Sequence, residues 1–189
     1  MRAAFTRAAF AVALLSTPTI VSTQAQKAAF TAEDSLRVAS INVLDITDDG
    51  SRVVTSTRRA IDNPGTNHSR YGDPTYLSPS RVTVEVIEVR SGAKQALFKE
   101  LVNVRDAAWS PNGGRLAILL GREPAGPDAF PTTELYIWDV SKRTLTTVKP
   151  AQPIAVNSNL AWTPDNVSLI VALRNPELDR EARATFKTL

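Results

Sequence analysis

Three short segments of this chain repeat one design, and that repeat constrains the fold more than any other feature. They are Ile46-Thr47-Asp48-Asp49-Gly50-Ser51-Arg52-Val53-Val54, Trp109-Ser110-Pro111-Asn112-Gly113-Gly114-Arg115-Leu116-Ala117 and Trp162-Thr163-Pro164-Asp165-Asn166-Val167-Ser168-Leu169-Ile170. Each has a large apolar residue, a hydroxyl residue, a tight turn and an apolar strand. Pro111 and Pro164 preset φ at the second turn position, and Asp49, Asn112 and Asp165 stabilise the turn by side-chain bonds to backbone N–H groups. Gly50 and Gly113 suit the positive-φ position, with Asn166 as its αL-tolerant substitute in the third copy. The large apolar residue before each turn is expected to anchor a strand end in the core.

The copies start 63 and then 53 residues apart. Between them the apolar residues alternate, as in Arg81–Val89 and Glu134–Val140, which is the pattern of half-buried strands. Four strands are predicted in the first unit, at about 43–46, 51–59, 81–89 and 95–101, with Ser91-Gly92-Ala93 as the last hairpin turn. Four are predicted in the second, at about 106–110, 115–121, 133–140 and 144–148, with Ser141-Lys142-Arg143 as the turn. Four antiparallel strands per repeat at this spacing describe a propeller blade. A β-sandwich with coincidental turns is the alternative. The expected fold is therefore all-β: a partial β-propeller of about two and a half four-stranded blades (about 41–102, 103–150 and 151–189), where closed propellers have about four to eight.

Residues 1–25 have another character. Arg2 and Arg7 precede the uncharged, mostly apolar run Ala8–Val21, and Thr23 and Ala25 are small residues at the right spacing for cleavage. This is the layout of an export signal, too short and too broken by Pro18 to span a bilayer comfortably; a buried amphipathic first helix is the alternative. The expected product starts near Gln26, is periplasmic or extracellular, and has no membrane segment after cleavage. A lead-in at 26–40 follows, with a short helix in which Thr31 is the N-cap and Asp34 completes a capping box.

Composition removes several functions. Of the net charge of +3, Arg2 and Arg7 supply two, and no basic stripe with interleaved aromatics exists, so nucleic-acid binding is not expected. There is no cysteine and a single histidine, His68, which excludes disulfides, thiolate sites and a multi-histidine zinc site. No cofactor or metal is expected.

The stretch Trp109–Ala117 followed by Glu134–Val140 resembles the blade motif of bacterial WD40-like propeller repeats, which read W-S-P-D-G-K-R-L-A and then L-W-x-x-D. Such repeats occur in the N-terminal propellers of S9 (prolyl oligopeptidase family) serine peptidases and in TolB-like periplasmic proteins. The segment Phe30–Arg37 resembles the lead-in helix before the first blade of secreted S9 peptidases. On this resemblance the blade motif comprises Trp109, Ser110, Pro111, Asn112, Gly113, Trp138, Asp139, Trp162, Pro164 and Asp165. The first copy departs by having Asp48 in place of proline, and the third lacks the glycine and the basic residue after it.

The resemblance implies a propeller that admits peptide substrate to a C-terminal α/β-hydrolase domain, whose nucleophilic serine sits on a G-x-S-x-G elbow. No G-x-S-x-G occurs in these 189 residues, nor an adjacent Glu-Glu pair of the dipeptidyl-peptidase kind. The chain is expected to be an N-terminal fragment without peptidase chemistry, with its hydrolase domain lying elsewhere in the same polypeptide. Rival expectations are a TolB-like, non-enzymatic protein-binding module and a free-standing sensor or scaffold propeller.

The remaining candidates have plain structural readings beside functional ones. The polar stretch 61–80, which holds His68, is read as a solvated insertion, against a rim loop contacting substrate. Asp45, Asp48, Asp49 and Gly50 lack calcium-loop spacing and are read as a β-turn. Arg58 and Arg59 are read as a solvated strand end. Asn67 and Asn166 lie in glycosylation sequons that are not expected to be used. The strand Ser168–Leu173 is expected to expose an aggregation-prone edge.

Overall fold

The computed structural model describes residues 29–63, 80–123, 131–175 and 177. The export-signal reading at 1–25, most of the 61–80 stretch with Asn67 and His68, and the tail beyond residue 177 lie outside the described residues.

The first element is α1 (Ala32–Arg37). Thr31 Oγ1 accepts from the Asp34 amide, and the Asp34 carboxylate accepts from the Thr31 amide. This reciprocal bonding satisfies donors that a six-residue helix would otherwise leave open.

The first blade is the sheet β1 (Ala39–Ile46), β2 (Arg52–Arg59), β3 (Thr83–Glu88) and β4 (Lys94–Ala96), antiparallel in that order. The second is β5 (Asn103–Trp109), β6 (Arg115–Arg122), β7 (Thr132–Asp139) and β8 (Thr144–Val148), with the same order. A third unit contributes the short pair β9 (Ala161–Trp162) and β10 (Leu169–Ile170) and a bridge between Ile154 and Leu173. The first strands of successive units meet: β1 lies against β5, and β5 against β9. Successive up-and-down sheets whose first strands converge are blades of a propeller. The fold is an all-β partial propeller.

Stacking also decides which strands are apolar on both faces. β6 is buried along Leu116–Gly121 because it is sandwiched between neighbours. Leu116, Ile118 and Leu120 join Trp109 and Trp138 in a cluster with Val54, Val84 and Val86 of the first blade. Ala117 and Leu119 face the third unit, with Leu135, Ile154 and Leu160. Phe98 of the first blade meets Tyr136 of the second edge-to-face, ring centroids 5.4 Å apart. The first blade turns its buried valines, Val54, Val84 and Val86, to the side toward the second. Its other flank carries Ile41, Val43 and Ile46, which are cross-strand to Thr57, Thr55 and Val53. Ile46 is 49% exposed, whereas its counterpart Trp109 is 7% exposed. The expected burial of all three pre-turn residues therefore holds fully for Trp109, partly for Trp162 and not for Ile46. The reason is geometric, since only a residue with a blade stacked on its side is covered.

Two bulges tie the blades together. Register shifts fall between Val43 and Asp45 in β1, and between Val104 and Asp106 in β5. Each bulged aspartate binds the next amide with one oxygen and reaches the following unit with the other. Asp45 Oδ2 accepts from the Trp109 amide at 2.7 Å, and Asp106 Oδ2 from the Leu160 amide at 2.7 Å. Asp106→Ala should deprive the amides of the buried Leu160 and Ala107 of this acceptor and cost about 2 kcal/mol, the scale of a bond to a charged group. Urea unfolding of the variant checks this; an unchanged midpoint counts against the staple.

Candidate functional site

The pre-strand turns are the most closely repeated geometry in the chain. In the first, the Gly50 amide donates to the Thr47 carbonyl at 2.8 Å, Asp49 Oδ1 accepts from Thr47 Oγ1 and the Ser51 amide, and Thr47 Oγ1 accepts from the Arg52 amide. In the second, Ser110, Asn112, Gly113, Gly114 and Arg115 reproduce every one of these bonds. In the third, Thr163, Asp165, Asn166, Val167 and Ser168 do so again. Gly50, Gly113 and Asn166 hold φ of 66°, 64° and 62°. At each strand crossing one hydroxyl and one carboxylate or carboxamide oxygen thus supplement the single backbone bond from Thr47, Ser110 or Thr163 N–H to the carbonyl of Arg52, Arg115 or Ser168.

The turns also touch one another. Asn166 Oδ1 accepts from the Asn112 amide at 2.6 Å, and a Cβ at Gly113 would stand 3.2 Å from Thr47 Cγ2. Asn166, the sequon residue, is therefore spent on a neighbouring turn.

The rest of the sequence-derived motif falls around these turns. Trp109 ends β5, and Pro111 stands at the second turn position. Trp138 is buried near the end of β7, and Asp139 caps the β7–β8 turn by accepting from Ser141 Oγ and the Lys142 amide. Trp162 lies in β9 and donates its indole N–H to the Ala108 carbonyl, bridging the second and third units. Pro164 and Asp165 occupy the third turn. Arg58 and Arg59 bind Ser80 and Asp62 respectively, which ties down the exposed end of β2. The carboxylates of Asp45 and Asp49, weighed above as calcium ligands, are turned to backbone amides instead.

Two contributors escaped the sequence reading. Asp106 was not singled out; beside Arg105 in β5 it reads as one half of an ordinary charged pair. Arg105, the extra residue of the second bulge, reaches Thr133 Oγ1 and the Val156 carbonyl and joins the second unit to the third. It crosses Gly121, where a Cβ would come within 2.4 Å of its Nε. Burial lowers the pKa of this guanidinium.

Electrostatically the turns are tuned by their own donors. Asp49 is lowered from the usual carboxylate range to about 2, first by the Thr47 hydroxyl and then by the Ser51 amide. Asp165 is lowered by the Thr163 hydroxyl and the Val167 amide. A depressed carboxylate stabilises the fold above its unfolded pKa and loses that contribution as pH falls through the folded value. Stability should therefore decline between about pH 4 and pH 2. Asp49→Asn with Asp165→Asn should flatten this acid limb while keeping the fold at neutral pH, because Asn112 already does the same work in the second turn. Acid titration followed by circular dichroism checks it; an acid limb equal to the parent's refutes the assignment.

Among the described residues no three His, Cys, Asp or Glu side chains converge on a metal-sized point, and no helix is long and apolar enough to cross a membrane. The geometry described is that of a packed, carboxylate-stapled wall that can present a surface.

No family model matches the chain, and no curated protein matches it. Solved structures similar to it include the tricorn protease, at 12% identity and a TM-score of 0.45 over 70% of this chain and 11% of that one. Another is the Pyrococcus horikoshii acylaminoacyl peptidase, at 14% identity and a TM-score of 0.47 over 72% of this chain and 18% of that one. The chain spans less than a fifth of the length of either.

Proposed function

We propose that this chain is the N-terminal propeller portion of an exported S9-like serine peptidase, gating peptide access to an α/β-hydrolase domain carried elsewhere in the same polypeptide. The observation that carries the reading is the strand–turn–strand unit Trp109–Ala117 with Glu134–Val140 closing it, which has the residue pattern of WD40-like blades. The capped helix α1 directly ahead of the first blade adds to it. Ile41, Val43 and Ile46 on the flank of the first blade suit the stacking of a further blade, as Trp109 and Leu116 stack on Val54. On this reading the chain's own part is steric and positional, and no bond is made or broken by it.

The test is labelling of the complete parent polypeptide with a fluorophosphonate probe. The expected result is one reactive serine outside residues 1–189 and none within them. A labelled serine within them overturns the reading, and no labelled serine anywhere favours the non-enzymatic, TolB-like binding module. Export is tested by N-terminal sequencing of the mature product, expected to start near Gln26; a cytoplasmic product retaining Met1 rejects it.

A further inference from the structure

Asn112 is followed by Gly113, the only Asn–Gly step in the chain. Glycine has no side chain to shield its amide nitrogen, so in an open peptide that nitrogen attacks the asparagine carboxamide with little hindrance. The other two turns carry Asp49 and Asp165 at the place of Asn112. In the folded chain Asn112 is exposed and Gly113 is buried, so water reaches the carboxamide while the nucleophile is enclosed.

Hydrogen bonds hold the pair away from reaction. The Gly113 amide donates to the Ser110 carbonyl at 2.7 Å. Asn112 Oδ1 accepts from Ser110 Oγ at 2.8 Å and from the Gly114 amide at 2.9 Å. The Asn112 amide donates to Asn166 Oδ1 of the third turn at 2.6 Å. On the other side Thr47 of the first turn closes the space beside Gly113, where even a Cβ would stand 3.2 Å from Thr47 Cγ2. The peptide plane between Asn112 and Gly113 is fixed by these contacts, and the Gly113 nitrogen can be brought onto Asn112 Cγ only by rotating that plane out of the turn. The first and third turns thus wedge the second one shut.

We infer that Asn112 is a deamidation site gated by the fold, silent while the three turns are packed and reactive when the units separate. In the step, the Gly113 nitrogen loses its proton to solvent and bonds to Asn112 Cγ, and the Cγ–Nδ2 bond breaks to release ammonia. Water then opens the cyclic imide at one of its two carbonyls. Opening one way gives aspartate, whose carboxylate can accept from the Ser110 hydroxyl and the Gly114 amide as Asp49 and Asp165 accept in their own turns. Opening the other way gives isoaspartate, which adds a methylene to the main chain between the Ser110 carbonyl and the Gly113 amide, and the turn can no longer close on the same bond. A molecule that opens and refolds therefore keeps an irreversible mark, a new negative charge in the cavity that Asn112 lines together with Arg52 and Arg115. The site stands independently of any peptidase reading.

The test is peptide mapping by mass spectrometry after incubation of the chain at mildly alkaline pH, folded in buffer and unfolded in urea, with amide-to-acid conversion at Asn112 as the readout. Conversion should be about tenfold slower or more in the folded chain, because protection follows the free energy of opening. Asn166→Gly keeps a residue suited to φ of 62° and removes the acceptor of the Asn112 amide. It should retain the parent's circular dichroism and convert about fivefold faster than the folded parent, the factor carried by about one hydrogen bond. Asn112→Asp, the refolded product, should melt with the parent at neutral pH. The inference is overturned if Asn112 converts as fast folded as in urea, if it converts in neither, if the folded Asn166→Gly variant converts at the parent's rate, or if Asn112→Asp does not fold. The first and last measurements leave the third turn unaltered and decide the matter even where Asn166→Gly unfolds.

Discussion

Trp109→Ala should destabilise the chain by about 3–5 kcal/mol, the cost of deleting a large aromatic from a packed core. Trp109 ends β5 inside the cluster that joins the first two blades, and its amide is the one held by Asp45. The loss would consume much of a net stability of about 5–15 kcal/mol. A second variant separates packing from polarity. The indole Nε1 of Trp109 is buried without a hydrogen-bond partner, unlike that of Trp162. Trp109→Phe should therefore cost much less than Trp109→Ala, because it removes a donor already unpaired. Trp162→Phe forfeits a bond worth about 1 kcal/mol. Urea unfolding measures all three. If Trp109→Ala melts like the parent while His68→Ala collapses the fold, the blade register described here is wrong.

Gly113→Val should destabilise by about 2–3 kcal/mol, combining backbone strain with a steric clash. The position holds φ of 64°, which a β-branched residue avoids. The new side chain would also press on Thr47 Cγ2, and Thr47 is buried and pinned by its own turn bonds. Gly50→Val provides the comparison. Its φ is 66°, but nothing lies within 4 Å of the added Cβ, so only the torsional cost of about 1–2 kcal/mol is expected. The difference between the two melting curves isolates contact between neighbouring turns. Equal losses would mean that the first and second turns do not bear on each other.

The strand order and the turns were legible in the chain because both are local. Alternation placed β7, and the turns before β6 and β8 placed those strands, all to within a residue at each end, since neither signal needs a distant partner to be read. Asn166 was recognised as a positive-φ residue from its place in the repeat. Arg143 was not, because nothing in Ser141-Lys142-Arg143 marks the left-handed position that Gly92 marks in the first blade. Expected boundaries were less accurate at β1 and β5, which start earlier and carry bulges, and at β4, expected to reach residue 101 but ending at Ala96.

By itself the amino-acid sequence determined the blade: four strands, their turns, the capping box and the side each apolar residue faces, all set by propensities and spacings within a few residues. Only the tertiary structure decided which of those faces are covered. Ile46 and Trp109 occupy equivalent positions, yet one is half exposed and the other buried, because burial depends on whether a blade is stacked alongside. The same holds for Asp45 and Asp106, whose partners lie 64 and 54 residues away. Hydrophobic periodicity records which way a side chain points; what it meets there is settled by elements far along the chain, and no local pattern encodes them.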